Sequence, residues 1–376
     1  MKKKALFLAH ALSGYFLACL KKFAGEYDVE VHVIKYPVAE IAPFKFEMQS
    51  ENIFFYERKN YDRKSLDQLV NIIHPEIIFC SGWADKDYLH ICQAALKAVR
   101  VVLLFDNPWR ATLKQNIMVF TGKHFLKKHF SSCWVSGFPQ RIYALKLGFS
   151  DHEICEGCYS CDFDFFYGEY LKNRAAKSKS FPRKLLFVGR YAALKGVEEL
   201  WDAFIKFSGK SNNDWELWCI GKGDLKSKMP SHPRIKDFGF VQPEEIGRYI
   251  QQTGIFILPA HYEHWGVVVH EFASAGFPLI CSSTTSAATA FLKAGYNGWI
   301  HAPRNAESIY GTLDEISGYS DRELFEMSEK STNLARQITP VVWSKTASSY
   351  LNDELLPVFR FDKESVSLQT HEITEK

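Results

Sequence analysis

Short apolar runs alternate with amphipathic stretches over the first 160 residues. Runs of strand length lie at 5–9, 29–34, 77–80 and 101–105, and helical patterns lie at 16–23, 88–99 and 140–147. Strands that alternate with helices predict a parallel sheet covered by helices on both faces. The run at 5–9 follows three lysines and so imitates a signal peptide. Because His10, Ser13 and Gly14 interrupt the apolar stretch, we predict a first strand there instead.

The same alternation returns in the second half of the chain. Strand-like runs lie at 184–188, 216–220, 254–258 and 279–282, and helical patterns lie at 243–252, 308–316, 321–338 and 341–357. The length of 376 residues also exceeds that of one ordinary core. The polar, lysine-rich stretch between the two halves predicts a linker. We predict two doubly wound α/β domains at 1–165 and 184–340, a linker at 166–183, a returning helix at 341–360 and a polar tail at 361–376.

Composition and charge narrow the function only slightly. With 47% hydrophobic and 24% charged residues the chain is typical of globular proteins, and its net charge of +3 does not indicate nucleic-acid binding. Residues 100–150, however, carry eight basic side chains against one acid, Asp106. This local excess fits an anionic membrane surface or a phosphate-bearing acceptor, and it fits a solvated helix face equally well.

The nine cysteines indicate a reducing compartment, because their number is odd and they are scattered. Cys155, Cys158 and Cys161 form a C-x2-C-x2-C run of the kind that binds metals or iron–sulfur clusters. No fourth ligand has suitable spacing, so we predict core cysteines.

Two carboxylates flank the predicted start of a helix after the apolar run at 254–258. Glu263 precedes Gly266, where the helix is predicted to begin, and Glu271 lies about one turn inside it. Gly276 and Pro278 end the helix. A helix N-terminus beyond the carboxyl end of a strand binds phosphate, because its free N–H groups and its dipole favour anions.

This stretch, PAHYEHWGVVVHEFASAGFPLI at 259–280, resembles the Glu-x7-Glu element of retaining glycosyltransferases of family 4. Gly189-Arg190 and Lys195-Gly196 resemble the family's G-R-x-x-x-x-K-G segment. The resemblance implies the GT-B fold, in which two Rossmann-like domains face a central cleft. It also implies a nucleotide-diphosphate sugar donor of the UDP or GDP type and transfer to an acceptor hydroxyl with retention of configuration, with no metal and no cofactor.

The resemblance assigns roles to individual residues. Arg190 and Lys195 hold the diphosphate, Glu263 the donor sugar and Glu271 the ribose, and we predict Glu263, Arg190 and Lys195 as catalytic. The remaining donor-binding candidates surround the same ligand and are Gly266, Val267, Gly14, Gly221, Phe240, Val241 and His264. Candidates on the acceptor side follow strands of the first domain and are Trp83, Asp85, Asp106 and Arg110.

Two patterns that imitate metal sites are predicted to be structural. His270-Glu271 begins an H-E-x-x-H pattern, but Ser274 stands in the place of the second histidine. Asp85-Lys86-Asp87 imitates the metal-binding D-x-D of another glycosyltransferase fold and is predicted to begin a helix. We expect His270 to serve in packing.

The sequence also departs from the family pattern. Thr284-Thr285-Ser286-Ala287 replaces the usual Gly-Gly-x-x-Glu, and no histidine of a first-domain loop is identified. We predict a cytoplasmic glycosyltransferase of surface polysaccharide or glycolipid synthesis, with a glycan or lipid-linked acceptor and peripheral contact with the inner face of the membrane. Two alternatives stay open, namely a GT-B sugar-nucleotide epimerase or hydrolase, and a catalytically silent nucleotide-binding partner of another transferase.

Overall fold

A computed structural model describes residues 2–37, 50–210, 214–352 and 359–361. The chain divides into two compact units. The first unit is Met1–Asp162 together with Ile338–Phe361, and the second contains Phe163–Gln337. Each unit is built around its own parallel sheet, and this confirms the predicted class of two doubly wound α/β domains.

The sheet of the first unit has seven strands among the described residues: β1 (Lys4–Ala9), β2 (Glu30–Lys35), β3 (Ile53–Glu57), β4 (Ile77–Ser81), β5 (Arg100–Phe105), β6 (Ser132–Val135) and β7 (Ile154–Cys155). Their order is β3-β2-β1-β4-β5-β6-β7. The helices of this unit are α1 (Gly14–Glu26), α2 (Arg63–Ile73), α3 (Lys86–Ala95), α4 (Leu113–Lys127), α5 (Phe138–Lys146) and, from the end of the chain, α13 (Pro340–Leu351). The predicted first strand at 5–9 is confirmed, since β1 lies between β2 and β4.

The second sheet has six strands among the described residues: β8 (Lys184–Val188), β9 (Glu216–Ile220), β10 (Ile235–Asp237), β11 (Ile255–Leu258), β12 (Leu279–Ser282) and β13 (Gly298–His301). Their order is β10-β9-β8-β11-β12-β13. The helices are α6 (Phe163–Lys177), α7 (Val197–Ser208), α8 (Gly247–Gln252), α9 (Val267–Ser274), α10 (Ala288–Phe291), α11 (Ala306–Ser317) and α12 (Asp321–Ala335). The chain therefore runs outward from β8 and then returns to the other side of β8 with β11.

The predicted linker at 166–183 is wrong over most of its length, because α6 extends to Lys177. Helical spacing places Phe166, Tyr170 and Lys177 on one buried face of α6. Phe166 packs on Phe272 of α9 with the ring centroids 6.2 Å apart. The exposed face of α6 carries charged side chains that make the stretch look polar in sequence, so its buried stripe was missed.

Helix α13 packs on α1 and buries Trp343 in the first unit. Trp343 stacks on Trp134 with the centroids 5.0 Å apart and donates a hydrogen bond of 2.9 Å from Nε1 to the carbonyl of Cys158. Of the predicted helix at 341–360, residues 353–358 lie outside the described part of the chain. The same is true of the predicted tail apart from Phe361.

All nine cysteines are buried and free, which confirms the prediction of core cysteines. Burial raises the pKa of the Cys155 thiol to about 12, so this group stays protonated at neutral pH. Within the described residues, no three His, Cys, Asp or Glu side chains are grouped so as to hold a metal ion. Nor does this part of the chain contain a helix long and apolar enough to span a membrane.

Candidate active site

The two motif loops of the second unit lie on either side of the point where the strand order reverses. The loop after β8 carries Arg190 and Lys195, and the loop after β11 carries Glu263. Because β8 and β11 are parallel neighbours, both loops leave the sheet at the same edge. Ligands of doubly wound sheets bind at this reversal, beyond the carboxyl ends of the strands.

Gly196 brings the two loops into contact. Its φ of +66° lies in the left-handed region, and a Cβ at this position would overlap the carbonyl oxygen of Pro259 in the other loop. Next to this contact the backbone N–H of His261 donates to the carbonyl of Leu194 at 2.9 Å. The Lys195-Gly196 pair therefore joins a cation to the one residue type that allows the loops to approach so closely.

Lys195 and Glu263 form an ion pair between these loops, with Nζ contacting Oε2. The two side chains are 19% and 16% exposed, so the pair is partly shielded and yet reachable from solvent. His261 fixes the same loop from the other side, because its Nε2 lies 2.7 Å from Oε1 of Glu199 in the first turn of α7. The predicted catalytic residues Lys195 and Glu263 are thus brought together.

The Thr284–Ala287 stretch that departs from the family pattern holds the Glu263 loop in place. Thr284 donates from Oγ1 to the carbonyl of His261 at 3.0 Å. Its own carbonyl accepts a hydrogen bond of 3.3 Å from the N–H of Glu263, and the N–H of Ser286 donates to the carbonyl of Glu263 at 3.3 Å. Although this stretch lacks the glycines and the glutamate of the family pattern, its hydroxyl and backbone groups position the Glu263 carboxylate.

Helix α9 begins next to this carboxylate. Gly266 is its N-cap, and a Cβ there would lie 2.9 Å from Cγ of Glu263. Val267 is the first helical residue, so its N–H is one of the free donors at the helix start. Glu271 is partly buried and lies one turn further along, while His264 is exposed. The Glu263 carboxylate thus contacts Lys195 and lies beside the start of α9.

His270 packs in the core, as predicted. It is buried, it stacks on Phe291 with the centroids 4.2 Å apart, and its Nε2 lies 2.9 Å from the carbonyl of Ala335.

The donor candidates Arg190, Gly221, Phe240 and Val241 lie on the loops that follow β8, β9 and β10. Arg190 is exposed, next to Tyr191, whose hydroxyl donates to Oδ1 of Asp237 at 2.7 Å. The N–H of Gly221 donates to the carbonyl of Gly239 at 2.8 Å, so the loops after β9 and β10 are also joined. Phe240 and Val241 follow directly on the second of these loops. The structure thus places these candidates on three loops at the same sheet edge.

The first unit has a pocket of about 720 Å³ beyond the carboxyl ends of β1, β4 and β5. Trp83 and Asp106, two of the candidates predicted for the acceptor side, line it. His10 lines it as well and was missed in sequence, although it directly follows the first strand. The pocket again lies where the strand order reverses, between β1 and β4. Gly14 opens α1 beside the lining residue Ser13.

Asp85, a candidate on the acceptor side, is engaged in structural contacts and is not among the residues that line this pocket. Its carboxylate caps α3 through the N–H groups of Asp87 and Tyr88, and it accepts hydrogen bonds from Tyr36 Oη at 2.6 Å and Arg58 Nε at 3.0 Å. Burial alone would raise the pKa of Asp85, but these hydrogen bonds outweigh it and lower the pKa.

Arg110 is exposed and is not among the residues that line the pocket. Its backbone N–H donates to Oε1 of Gln115 at 2.8 Å. The Asp85-Lys86-Asp87 pattern begins a helix, as predicted.

A family of known proteins matches most of the second unit. Residues 171–333 match the family model described as glycosyl transferases group 1. An uncharacterized glycosyltransferase of Methanocaldococcus jannaschii is 28% identical over 142 residues, which are 36% of this chain and 35% of that protein. A lipopolysaccharide 1,6-galactosyltransferase of Salmonella typhimurium is 21% identical over 229 residues, which are 57% of this chain and 62% of that protein. The matches thus span less than two thirds of these relatives.

Solved structures share the fold over more than nine tenths of the chain. HepE of Anabaena, solved with UDP and glucose, superposes with a TM-score of 0.69 at 15% identity, over 93% of this chain and all of that one. A sucrose-phosphate synthase of Thermosynechococcus elongatus superposes with a TM-score of 0.68 at 14% identity, over 94% of this chain and 99% of that one. These likenesses establish the GT-B fold.

Proposed function

We propose that this protein, whose residues 171–333 match the family model of group 1 glycosyl transferases, moves a sugar from a nucleotide-diphosphate sugar to an acceptor hydroxyl with retention of anomeric configuration. The observation that carries the proposal is the contact between Lys195 and Glu263 beside the start of α9. It joins a group that attracts phosphate to a group that accepts hydrogen bonds from sugar hydroxyls.

Transfer breaks the bond between the anomeric carbon and the diphosphate oxygen and forms a bond to the acceptor oxygen on the same face. The proton of the acceptor hydroxyl passes to an oxygen of the leaving diphosphate. Negative charge grows on that diphosphate as the bond breaks. Lys195, Arg190 and the N–H of Val267 would stabilise this charge, and removal of one such contact typically costs on the order of 10²–10³ in rate. We propose that these groups take the place of a divalent metal.

Glu263 would accept hydrogen bonds from hydroxyls of the donor sugar, and Glu271 from the ribose. The ion pair orients Glu263 for this role, since Lys195 holds one of its two carboxylate oxygens. The other oxygen then remains for the sugar. In this proposal Glu263 is a positioning group for the donor and forms no covalent bond to it.

Variants of the pair test the proposal. We expect Lys195→Ala and Glu263→Ala to reduce transfer by about 10²-fold or more, measured as nucleotide release that depends on the acceptor. A matched control is the ion pair of Lys206 and Glu307, which lies in the same unit on an exposed surface. Lys206→Ala should leave the rate unchanged. Normal turnover of Lys195→Ala in a folded protein would overturn the assignment.

Donor specificity is proposed to be of the UDP or GDP type. HepE was solved with UDP-glucose, and its fold is that of this chain, which favours UDP as the first donor to test. Thermal stabilisation by UDP, GDP and their sugars identifies the donor, because a ligand that binds the folded state raises the melting temperature.

Two other functions are separated by simple assays. An epimerase or hydrolase would convert the donor with no acceptor present, whereas a transferase requires the acceptor. A catalytically silent partner would bind nucleotide and release none under either condition.

For the acceptor we propose a glycan or a lipid-linked intermediate, held in the pocket of the first unit by Trp83, Asp106 and His10. The similarity to a lipopolysaccharide galactosyltransferase supports a role in surface polysaccharide or glycolipid synthesis. We place the protein in the cytoplasm, in peripheral contact with the inner face of the membrane.

A further inference from the structure

Helix α4 presents a ridge of large apolar side chains to solvent. Leu113, Ile117 and Phe120 are 78%, 56% and 89% exposed. Their spacing of four and three residues places them along one face of the helix. Single exposed apolar side chains are common on protein surfaces, but a contiguous apolar strip marks a contact with another body. We call these three residues the α4 ridge.

Cations flank the α4 ridge, and the segment contains no acid. Residues 110–128 include Arg110, Lys114, Lys123, Lys127 and Lys128 and neither Asp nor Glu. Lys127 is paired with Glu153, so its charge is offset within the protein. At about 100° per residue, Lys123 lies on one side of the ridge, and Lys114 and Lys128 lie on the other. All three are exposed.

The flanking charges distinguish between the partners that could cover the α4 ridge. A second copy of the chain would meet the ridge through the same patch in a two-fold contact, which brings the lysines of the two copies together and repels them. Interaction with the helix dipole favours cations at the C-terminus and so explains Lys127 and Lys128. It explains neither Lys114, which lies in the first turn, nor the apolar ridge. A helix with an apolar face and flanking cations is instead suited to lie in the interface of a membrane with anionic lipids.

We infer that α4 docks the first unit on an anionic membrane surface, with Leu113 and Phe120 in the acyl boundary and Lys114, Lys123 and Lys128 at the headgroups. With its 15 residues α4 would lie in the plane of the membrane and not cross it.

The ridge also borders the pocket of the first unit, because Ile117 and Lys114 line that pocket. Docking through α4 would therefore place the pocket beside the lipid surface. An acceptor with a hydrophobic tail could keep the tail in the bilayer while its polar head enters the pocket. This extension to the acceptor rests on the proposed transferase function, whereas the docking itself does not.

Vesicle binding of the full chain tests the docking. Sedimentation is measured with vesicles of phosphatidylcholine alone and with vesicles that also contain phosphatidylglycerol. The apolar variant is Leu113→Ser with Phe120→Ser, and the charge variant is Lys123→Glu with Lys128→Glu; none of these four residues lines the pocket. Matched controls are Ile72→Ser, at a side chain that is 78% exposed on α2, and Lys97→Glu, at an exposed lysine of the same unit.

We expect the wild type to bind the anionic vesicles, and the apolar variant to lose this binding. The charge variant should bind about 25-fold or more weakly, because each lysine near such a surface contributes roughly fivefold. Both controls should bind like the wild type. Equal binding of both variants and the wild type would overturn the inference. So would a wild-type dimer in light scattering that Phe120→Ser converts to a monomer without any vesicle binding.

Donor-induced thermal stabilisation of the same variants separates the two proposals. If the apolar variant keeps this stabilisation and loses the vesicles, the docking surface is established independently of catalysis. If no nucleotide stabilises any of the proteins, the proposed function fails while the vesicle result still decides the docking.

Discussion

Gly196→Ala tests whether the two motif loops approach as closely as the structure shows. The residue has a φ of +66°, and an alanine in the left-handed region costs about 1–2 kcal/mol. Its Cβ would also overlap the backbone oxygen of Pro259, so the loops would have to separate. Overpacking of this kind adds about 1–3 kcal/mol. We therefore expect a loss of about 2–5 kcal/mol in stability of the second unit, together with a broken contact between Lys195 and Glu263.

Gly239→Ala is the matched control for the cost of the left-handed backbone alone. Gly239 has the same φ of +66°, and nothing lies within 4 Å of a Cβ built there. It should cost only the about 1–2 kcal/mol of the left-handed conformation. Hydrogen exchange of peptides that cover 185–200 and 255–266 measures the local stability in each variant, since local opening sets the exchange rate. If Gly196→Ala opens these peptides no more than Gly239→Ala, the close approach of the loops is refuted.

Three further variants test other parts of the account. Burial lowers the pKa of Lys177 from 10.5 to about 7. Between these two pH values the amine of Lys177 is protonated in the unfolded chain and neutral in the folded protein, so the free energy of unfolding of the wild type rises with pH. Lys177→Met should therefore be more stable than the wild type by on the order of 4 kcal/mol near pH 7, and this gain should shrink towards pH 10.5. Urea titrations over this pH range measure the difference, and a difference that does not depend on pH would contradict the reasoning. Asp85→Ala should lose about 2–4 kcal/mol of stability, because the cap of α3 and the carboxylate partner of Arg58 are both removed. Turnover per folded molecule should stay normal, and a selective loss of turnover would instead support a role of Asp85 in acceptor binding. His10→Ala should lower acceptor-dependent turnover by at least 10-fold and leave thermal stabilisation by the donor nucleotide unchanged; normal turnover would remove His10 from the site.

The positions of the donor candidates could be predicted from sequence because each motif is local in the chain. Each motif loop directly follows a strand, so the position of Lys195 and Glu263 relative to the sheet edge follows from the pattern of apolar runs. The contact between them depends on the order of the strands, which places β11 beside β8. No spacing in the sequence specifies that order, and the motif alone supplied the expectation.

The surroundings of the acceptor-side candidates could be predicted less well, because their neighbours come from distant segments. Asp85 follows β4 closely, which made it a candidate, but partners 49 and 27 residues away, Tyr36 and Arg58, engage its carboxylate. His10 follows β1 in the same manner and was passed over, although the position of a polar residue at a strand end could have identified it. Strand β3 and helix α2 were missed as well, since few side chains of either element are buried.

The central claim is that Lys195 holds the diphosphate and Glu263 the sugar of one donor. Calorimetric titration of the wild type, Lys195→Ala and Glu263→Gln with the nucleoside diphosphate and with its sugar measures this directly. Lys195→Ala should weaken both ligands by about 10-fold or more, as expected for the loss of a charge-assisted contact. Glu263→Gln should bind the nucleoside diphosphate like the wild type and lose affinity only for the nucleotide sugar. If both variants bind both ligands as tightly as the wild type, the donor does not lie between these two side chains.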